Sequence, residues 1–272
     1  MGVTTSRRAI VRIVDGADAG ARPDTLAVES PLTVVLDGEV LVTTMRTPGH
    51  DLELAAGWLV NESGVRNSRH IASMGSFATS TDDEIDTVRL HLQDGVEPPR
   101  PRAFVTTAAC GVCSADIIAG VSAPSEPLHS ATWRLPAEAI APLLDAMRAE
   151  QRMFDQTGSL HAAGLVSPAL ELLWAREDVG RHNAVDKVVG RALLDDLLPL
   201  ADHVLVVSGR VSFEIVHKAL TAGVAAIVAV SGPTTLAVDL AREHGLVLVG
   251  FARDGRFNVY AGADHVLLEE AS

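Results

Sequence analysis

The 272-residue chain holds two cysteines, Cys110 and Cys113, so no disulfide framework can organise its fold. Lysine is nearly absent: Lys187 and Lys218 are the two, and arginine supplies the remaining positive charge. Acidic residues outnumber basic ones to a net charge of -13, which argues against general binding to nucleic acid or to a membrane surface, since both want broad positive fields. No apolar run is long enough to cross a bilayer. Residues 1–16 carry Arg7 and Arg8 but neither the apolar stretch nor the small-residue cleavage site of a secretory signal. These absences predict a soluble protein of the reducing cytoplasm, where a C-x-x-C pair is a chemical device more often than a structural one. What the chain does have is 47% hydrophobic residues, enough to build one large or two medium domains.

Both thiols sit in Thr106-Thr107-Ala108-Ala109-Cys110-Gly111-Val112-Cys113-Ser114. Such a pair supports disulfide redox, half of a metal site, or a persulfide relay. Packing as two small buried hydrophobes is the plain alternative. A structural zinc ion needs four ligands, and neither a second C-x-x-C nor a closely spaced His pair follows. A thioredoxin-like site expects the pair to open a helix inside a βαβ unit. Here a Pro- and Gly-rich stretch, residues 94–102, precedes the pair, and Ala123-Pro124-Ser125-Glu126-Pro127 follows it. The pair is therefore expected on or beside a loop, where a thiol can meet two partners in turn.

The first part of the chain reads as α+β. Residues 32–44 alternate around Asp37-Gly38, a hairpin signal. Residues 51–61 predict an amphipathic helix ending near Gly64, and residues 85–92 a half-buried strand. Residues 136–153 have helical spacing, with Ile140, Leu143, Leu144 and Met147 on one side. Strands are then expected at 169–175, 203–207, 225–230 and 246–251, with helices after Glu177-Asp178 and over 212–221 and 236–244. Apolar strands alternating with helices imply a parallel or mixed sheet covered on both faces. Two domains follow: 1–125, α+β and ending in the cysteine loop, and 126–272, α/β. The join is expected within 119–135, where Pro and Ser accumulate.

Four segments could hold a ligand. The turns Ser208-Gly209-Arg210-Val211-Ser212 and Ser231-Gly232-Pro233-Thr234-Thr235 each follow an apolar strand and precede a helix, the position where open α/β sheets bind ligands and helix N-termini favour phosphate. Ordinary turns capped by Ser212 or Thr234 are the alternative. In Glu177-Asp178-Val179-Gly180-Arg181-His182-Asn183-Ala184-Val185-Asp186-Lys187, the acids suit a first helical turn. Arg181, His182 and Asn183 supply fork donors, a ring and an amide suited to a heterocycle or to phosphates. The stretch Phe251-Ala252-Arg253-Asp254-Gly255-Arg256 puts two arginines beyond a strand end, as a charged hairpin or an anion clamp. His161, in Phe154-Asp155-Gln156-Thr157-Gly158-Ser159-Leu160-His161, stands alone, and lone histidines are usually structural.

Met45-Arg-Thr-Pro48, Cys110-Gly-Val-Cys113, Phe154-Asp-Gln-Thr-Gly158 with His161-Ala162-Ala163, the string from Glu177 to Lys187, Ser208-Gly-Arg-Val-Ser-Phe-Glu214 and Phe251-Ala-Arg253 together resemble one family: the formate dehydrogenase accessory sulfurtransferases, FdhD. The resemblance runs in order over nearly the whole chain. It departs at Ala108-Ala109 and Ser114 around the cysteines and at Ser159. It implies a cytidine-deaminase-like mixed-sheet α/β/α domain preceded by a smaller α+β domain. It implies sulfur accepted as a persulfide from a cysteine desulfurase, with Cys110 as the bearer and Cys113 as a relay or alternative bearer. The sulfur would pass to the molybdenum bis(molybdopterin guanine dinucleotide) cofactor before that cofactor enters the formate dehydrogenase catalytic subunit. The cofactor is a bound substrate, with no intrinsic metal, and the carrier is a cytoplasmic homodimer. Arg181, Arg210, Arg253 and Arg256 become candidates for its phosphates, His182 and Asn183 for pterin or guanine edges, and Ser208 and the 251–256 segment complete the candidate cofactor set.

Three other readings compete. A zinc deaminase on the same scaffold needs H-x-E followed by P-C-x-x-C, but here the thiol pair precedes both His161 and His182. A non-catalytic cofactor chaperone, or a C-x-x-C thiol oxidoreductase, would fit the same composition.

Overall fold

The structure, a computed structural model, describes residues 3–63, 65–77, 85–98 and 126–268. Cys110, Cys113 and Gly64 lie outside the described residues.

Two β-hairpins open the chain. The first joins β1 (Thr5–Val14) to β2 (Ala17–Ala27), and these strands pair only with each other. The second joins β3 (Ser30–Leu36) to β4 (Glu39–Arg46). Its corner is Asp37-Gly38, with φ of 49° and 92°. Two consecutive positive φ values make the turn whose twist matches a hairpin, as the Asp-Gly pair predicted. Helix α1 (Asp51–Ser63), β5 (Ile71–Phe77) and β6 (Asp86–Leu92) follow, and the four strands make a sheet in the order β4-β3-β6-β5. Strand β5 was not foreseen: Ile71-Ala-Ser-Met-Gly-Ser-Phe77 shows neither clean alternation nor an apolar run.

The second part is a six-stranded mixed sheet. After β7 (Leu135–Pro136) come α2 (Ile140–Ala149), α3 (Arg152–Thr157), β8 (His161–Val166), β9 (Leu172–Asp178) and α4 (Arg181–Leu194). Then β10 (Val204–Val207), α5 (Phe213–Ala222), β11 (Ala226–Ala229), α6 (Thr235–Glu243), β12 (Val247–Arg253), β13 (Arg256–Ala261) and β14 (Val266–Leu267) complete it. The strand order is β13-β12-β11-β10-β8-β9, with β10, β11 and β12 parallel and the others antiparallel to their neighbours.

The parallel strands alternate between two cores. Leu205, Val207, Ile227, Ala229 and Leu248 face one cluster, with α1, α4, α5 and α6. Val204, Val206, Val228, Val247 and Val249 face the other, with Ile140, Leu143 and Met147 of α2. Both faces are thus covered, which is why these strands read as unbroken apolar runs. The first cluster continues through α1 into Leu32, Val34, Val88 and Leu90 of the four-stranded sheet. Helices α1 and α4 cross with glycine against backbone. A methyl on Gly57 would run into the Asp186 carbonyl, and one on Gly190 into the Glu53 carbonyl.

Three expectations are corrected. The helix over 136–153 is broken after Ala149, because the Glu177 carboxylate accepts from the Met153 and Phe154 amides, at 2.9 and 2.7 Å, and starts a separate helix there. The strand expected at 169–175 begins at Leu172 instead, since Leu170 adopts a φ of 62° in a turn closed on Ser167. Glu177 and Asp178 end strand β9 and are buried, so they do not form the solvated first turn of a helix. Strand β8, headed by His161, was not foreseen.

Candidate functional site

Most of the polar string from Glu177 to Lys187 is spent on joining the two parts of the chain. Asp178, fully buried, is the hub. Its Oδ2 accepts from the Lys187 ammonium at 2.7 Å and from the Thr47 amide at 3.1 Å. Its Oδ1 accepts from the Gly180 amide at 2.8 Å and from Asn183 Nδ2 at 3.0 Å. Lys187 also donates to the Thr47 carbonyl at 2.9 Å, and Asn183 to the Met45 carbonyl at 2.8 Å. One helical turn on, Asp186 accepts from Lys218 Nζ and Asn61 Nδ2, both at 2.6 Å. Burial raises the Asp186 pKa, and the Lys218 ammonium pulls it back. Arg46, also fully buried, ties Asp51 (2.9 Å), Asp86 and Ser30 together beneath the same strap. Buried charges need partners of this kind, and the family-like spacing of these residues is largely the spacing that such a joint requires.

Arg181 and His182 are different. They start α4, at the edge where β10, β11 and β12 end, and where β8 begins and β9 finishes. The described residues of the expected cofactor set lie on the turns and strand ends of this edge, except that the Asn183 amide is engaged in the joint and Ala252 faces the core. Ser208 locks its turn to β8: its amide donates to the Ala162 carbonyl at 3.0 Å, and its Oγ accepts from the Ala162 amide at 2.9 Å. The two turns are bound to each other, with the Val211 amide donating to the Gly232 carbonyl at 3.2 Å and the Thr234 amide to the Val211 carbonyl at 3.0 Å. The Phe251 amide donates to the Ser231 carbonyl at 3.2 Å, and its ring lies over Gly232, where an added Cβ would stand 2.5 Å from Cζ. Phe251 is 46% exposed with a φ of 52°, an unusual backbone for a bulky residue and a common marker of a functional position. Beyond it, Arg253 pairs with Arg256 across the turn Asp254-Gly255, whose φ values are 51° and 70°. Ala252 faces the core, and both arginines are exposed.

Thr234 caps α6, its Oγ1 accepting from the Ala237 amide at 3.4 Å. Ser212 precedes α5 without a side-chain cap and instead meets the His182 ring at 3.3 Å. The same His182 Nε2 lies 2.9 Å from Glu214 Oε2, so the acid at the start of α5 holds the ring at the edge.

The electrostatics of this edge are those of an anion site. Burial comes first in lowering the pKa of Arg181, and Arg210 adds to it against the pull of Glu214. The Arg181 Nε is buried and has no hydrogen-bond partner among the described residues. A half-buried guanidinium whose Nε lacks a partner, beside a second arginine, is an arrangement that an anion would relieve. His161 was not in the expected set, yet it stands in this cluster. An added Cβ on Gly209 would lie 3.3 Å from its Nδ1 and 3.4 Å from Arg181 Cβ. The available signal was a polar residue heading a run of small apolar ones, Ala162 to Val166, which marks a strand opening at the ligand edge. Among the described residues no group of three or more His, Cys, Asp or Glu side chains is placed to hold a metal ion, and no helix is long and apolar enough to cross a membrane.

Comparison with known proteins gives a consistent picture. A family model described as the FdhD/NarQ family matches residues 27–267. A Streptomyces coelicolor protein named Sulfur carrier protein FdhD is 48% identical over 279 residues, covering 100% of this chain and 99% of the relative. Proteins of the same name from Nocardia farcinica (44% identical; 96% of this chain, 95% of the relative) and Saccharolobus solfataricus (38% identical; 98% of this chain, 100% of the relative) are similar from end to end. Among solved structures, a Desulfotalea psychrophila protein described as a candidate formate dehydrogenase accessory protein superposes with a TM-score of 0.77, over 97% of this chain and 100% of that one, at 23% identity. That likeness shows a shared fold.

Proposed function

The chain belongs to the FdhD/NarQ family, and from that premise we propose that it carries sulfur from a cysteine desulfurase to the molybdenum bis(molybdopterin guanine dinucleotide) cofactor during maturation of formate dehydrogenase. The observation that carries this reading is the end-to-end similarity to proteins named as sulfur carriers. The cation cluster at the carboxyl edge supports the choice of cargo, because a guanine dinucleotide brings pyrophosphates that Arg forks match.

In this reading Cys110 is the acceptor. Its thiolate attacks the outer sulfur of the desulfurase persulfide, the S–S bond breaks, and the desulfurase thiolate leaves. Attack by Cys113 on the inner sulfur of the resulting Cys110 persulfide releases sulfur at the oxidation level of sulfide and leaves a Cys110–Cys113 disulfide. That exchange balances the two electrons a molybdenum-bound sulfide requires. Arg181, Arg210 and His182, with Ser208, hold phosphate. Arg253 and Arg256 extend the same positive edge, and the exposed ring of Phe251 offers a stacking face for guanine or pterin. Asn183 and Asp178 act through the backbone they fix. The carrier works as a cytoplasmic homodimer that docks the dehydrogenase catalytic subunit.

Intact-protein mass spectrometry after incubation with a desulfurase and cysteine tests this directly. The wild-type chain should gain one sulfur atom that dithiothreitol removes, Cys110→Ala should gain none, and Cys113→Ala should gain it but fail to activate formate dehydrogenase. A two-proton loss without sulfur gain would identify a thiol oxidoreductase. Activation of the dehydrogenase by the double cysteine variant would identify a cofactor chaperone.

A further inference from the structure

One half-buried titratable group at the edge has no part in that scheme. His161 opens β8 and pairs across the sheet with Asp178, the last residue of β9. Its Nδ1 stands 3.3 Å from where a side chain on Gly209 would begin, and the Arg181 stem lies near the same spot, 3.5 Å away at Cδ. A larger residue at Gly209 would press on one of them, so this glycine lets the His161 ring and the Arg181 stem converge on a single turn.

We propose, building on the anion-site reading above, that His161 is a proton-linked ligand contact: it takes up one proton as a phosphate diester settles beside Arg181 and Arg210, and becomes a third cation on that anion.

The surroundings of the ring explain why the proton would arrive with the ligand. Burial comes first in holding the imidazole below its ordinary pKa, and Arg181, Arg210 and His182 all add to that, against the opposing carboxylate of Asp178. Glu214, on α5, faces Arg181 and His182. Asp178 is already engaged with Lys187, Asn183 and two backbone amides, which limits its pull on His161. A diester carries negative charge that does not itself titrate near neutral pH. Placed among the arginines it cancels the repulsion that keeps His161 neutral, so the ring pKa rises on binding. By linkage, the ligand then binds more tightly as pH falls through the bound-state pKa, and the gain levels off below the free-state pKa. His182 does not serve this role equally well, because its Nε2 is already held by Glu214 at 2.9 Å.

Diguanosine pyrophosphate, a diester, is a suitable probe. Titration calorimetry in two buffers of different ionisation enthalpy should show net proton uptake by the full-length protein at pH values between the free and bound ring pKa, and within that window the dissociation constant should tighten by up to about tenfold per pH unit on acidification. His161→Asn and His161→Gln should bind the probe with no proton uptake and a flat pH profile, at unchanged thermal stability. NMR titration of the His161 ring in the wild-type chain gives a measurement free of folding effects: its pKa must rise when the probe is added. Uptake that survives in both variants, or tight binding by the wild type with no proton and no ring shift, would overturn this inference while leaving the anion site intact. Failure of the probe to bind at all would overturn the anion site and this inference together.

Discussion

The joint around Asp178 and the edge around Arg181 both draw on one string of eleven residues, and they show opposite bookkeeping of charge. In the joint, opposite charges meet at hydrogen-bond distance: Lys187 on Asp178, Lys218 on Asp186, Arg46 on Asp51 and Asp86. Its one unmatched atom is Asn61 Oδ1. At the edge, like charges crowd together: burial and then Arg210 disfavour the charge on Arg181, both arginines disfavour a proton on His161, and Arg181 Nε has no partner among the described residues. A saturated polar network fixes a backbone, whereas an unsaturated, mainly cationic one is suited to an incoming anion. Three residues of spacing separate the two kinds: Asp178 belongs to the first, Arg181 to the second.

The strongest way to break this comparison is to remove one partner from the joint. Lys187→Met leaves Asp178 charged and buried, and should cost about 3–5 kcal/mol in urea unfolding. A double variant with Asp178→Asn should recover a good part of that loss. A small effect of the single change would show that the joint is not the buried ion pair described here. At the edge the opposite is expected. Arg181→Gln or Arg210→Gln should weaken binding of diguanosine pyrophosphate by about 1.5–3 kcal/mol, tenfold or more. The unfolding midpoint should stay level or rise, because a repulsion is relieved. Loss of stability alongside loss of binding would move these arginines into the framework.

Smaller changes sharpen the same line. Gly57→Ala drives a methyl into the Asp186 carbonyl at the helix crossing, and should destabilise by about 1–3 kcal/mol with diester affinity preserved in the folded fraction. Acid should act on the framework through Glu53. Burial would raise its pKa, but the Arg176 guanidinium and His50 outweigh that and bring it to about 2 from an ordinary 4.5. Because the folded value lies below the unfolded one, this contribution is complete above about 4.5 and fades as pH falls toward about 2. Glu53→Gln should flatten the stability curve across that window. Last, Thr234→Ala removes a helix cap and should cost about 1 kcal/mol. Ser212→Ala, at the equivalent place in the neighbouring turn, should cost less, since its hydroxyl faces His182 and caps nothing.

Much of this was legible in the chain. Asp37-Gly38 specified its hairpin and Asp254-Gly255 its own, because two left-handed residues in succession admit few side chains. The apolar runs of β10, β11 and β12 announced a sheet covered on both faces, and the ligand turns follow from where such strands end. Less legible was the break between α2 and α3, which comes from Glu177, distant in sequence and brought in by strand pairing. Strand β8 escaped notice because Ala162, Ala163 and Gly164 have little strand preference of their own. Tertiary pairing with β9 and β10 makes it a strand. The roles inside the polar string were equally hidden, since Asn183 and Arg181 look alike as candidates until one is seen bonded to the Met45 carbonyl and the other is not.

The amino-acid order by itself determined the family, the α/β class and the strand ends at which the two strand-to-helix turns lie, because periodicity, turn residues and rare side chains act locally and can be read in a line. Only the three-dimensional structure decided which polar residues are consumed by one another and which are left over. That partition depends on distances between residues more than a hundred positions apart, such as Thr47 to Asp178, and on the strong dependence of a charge's energy on its burial and its neighbours.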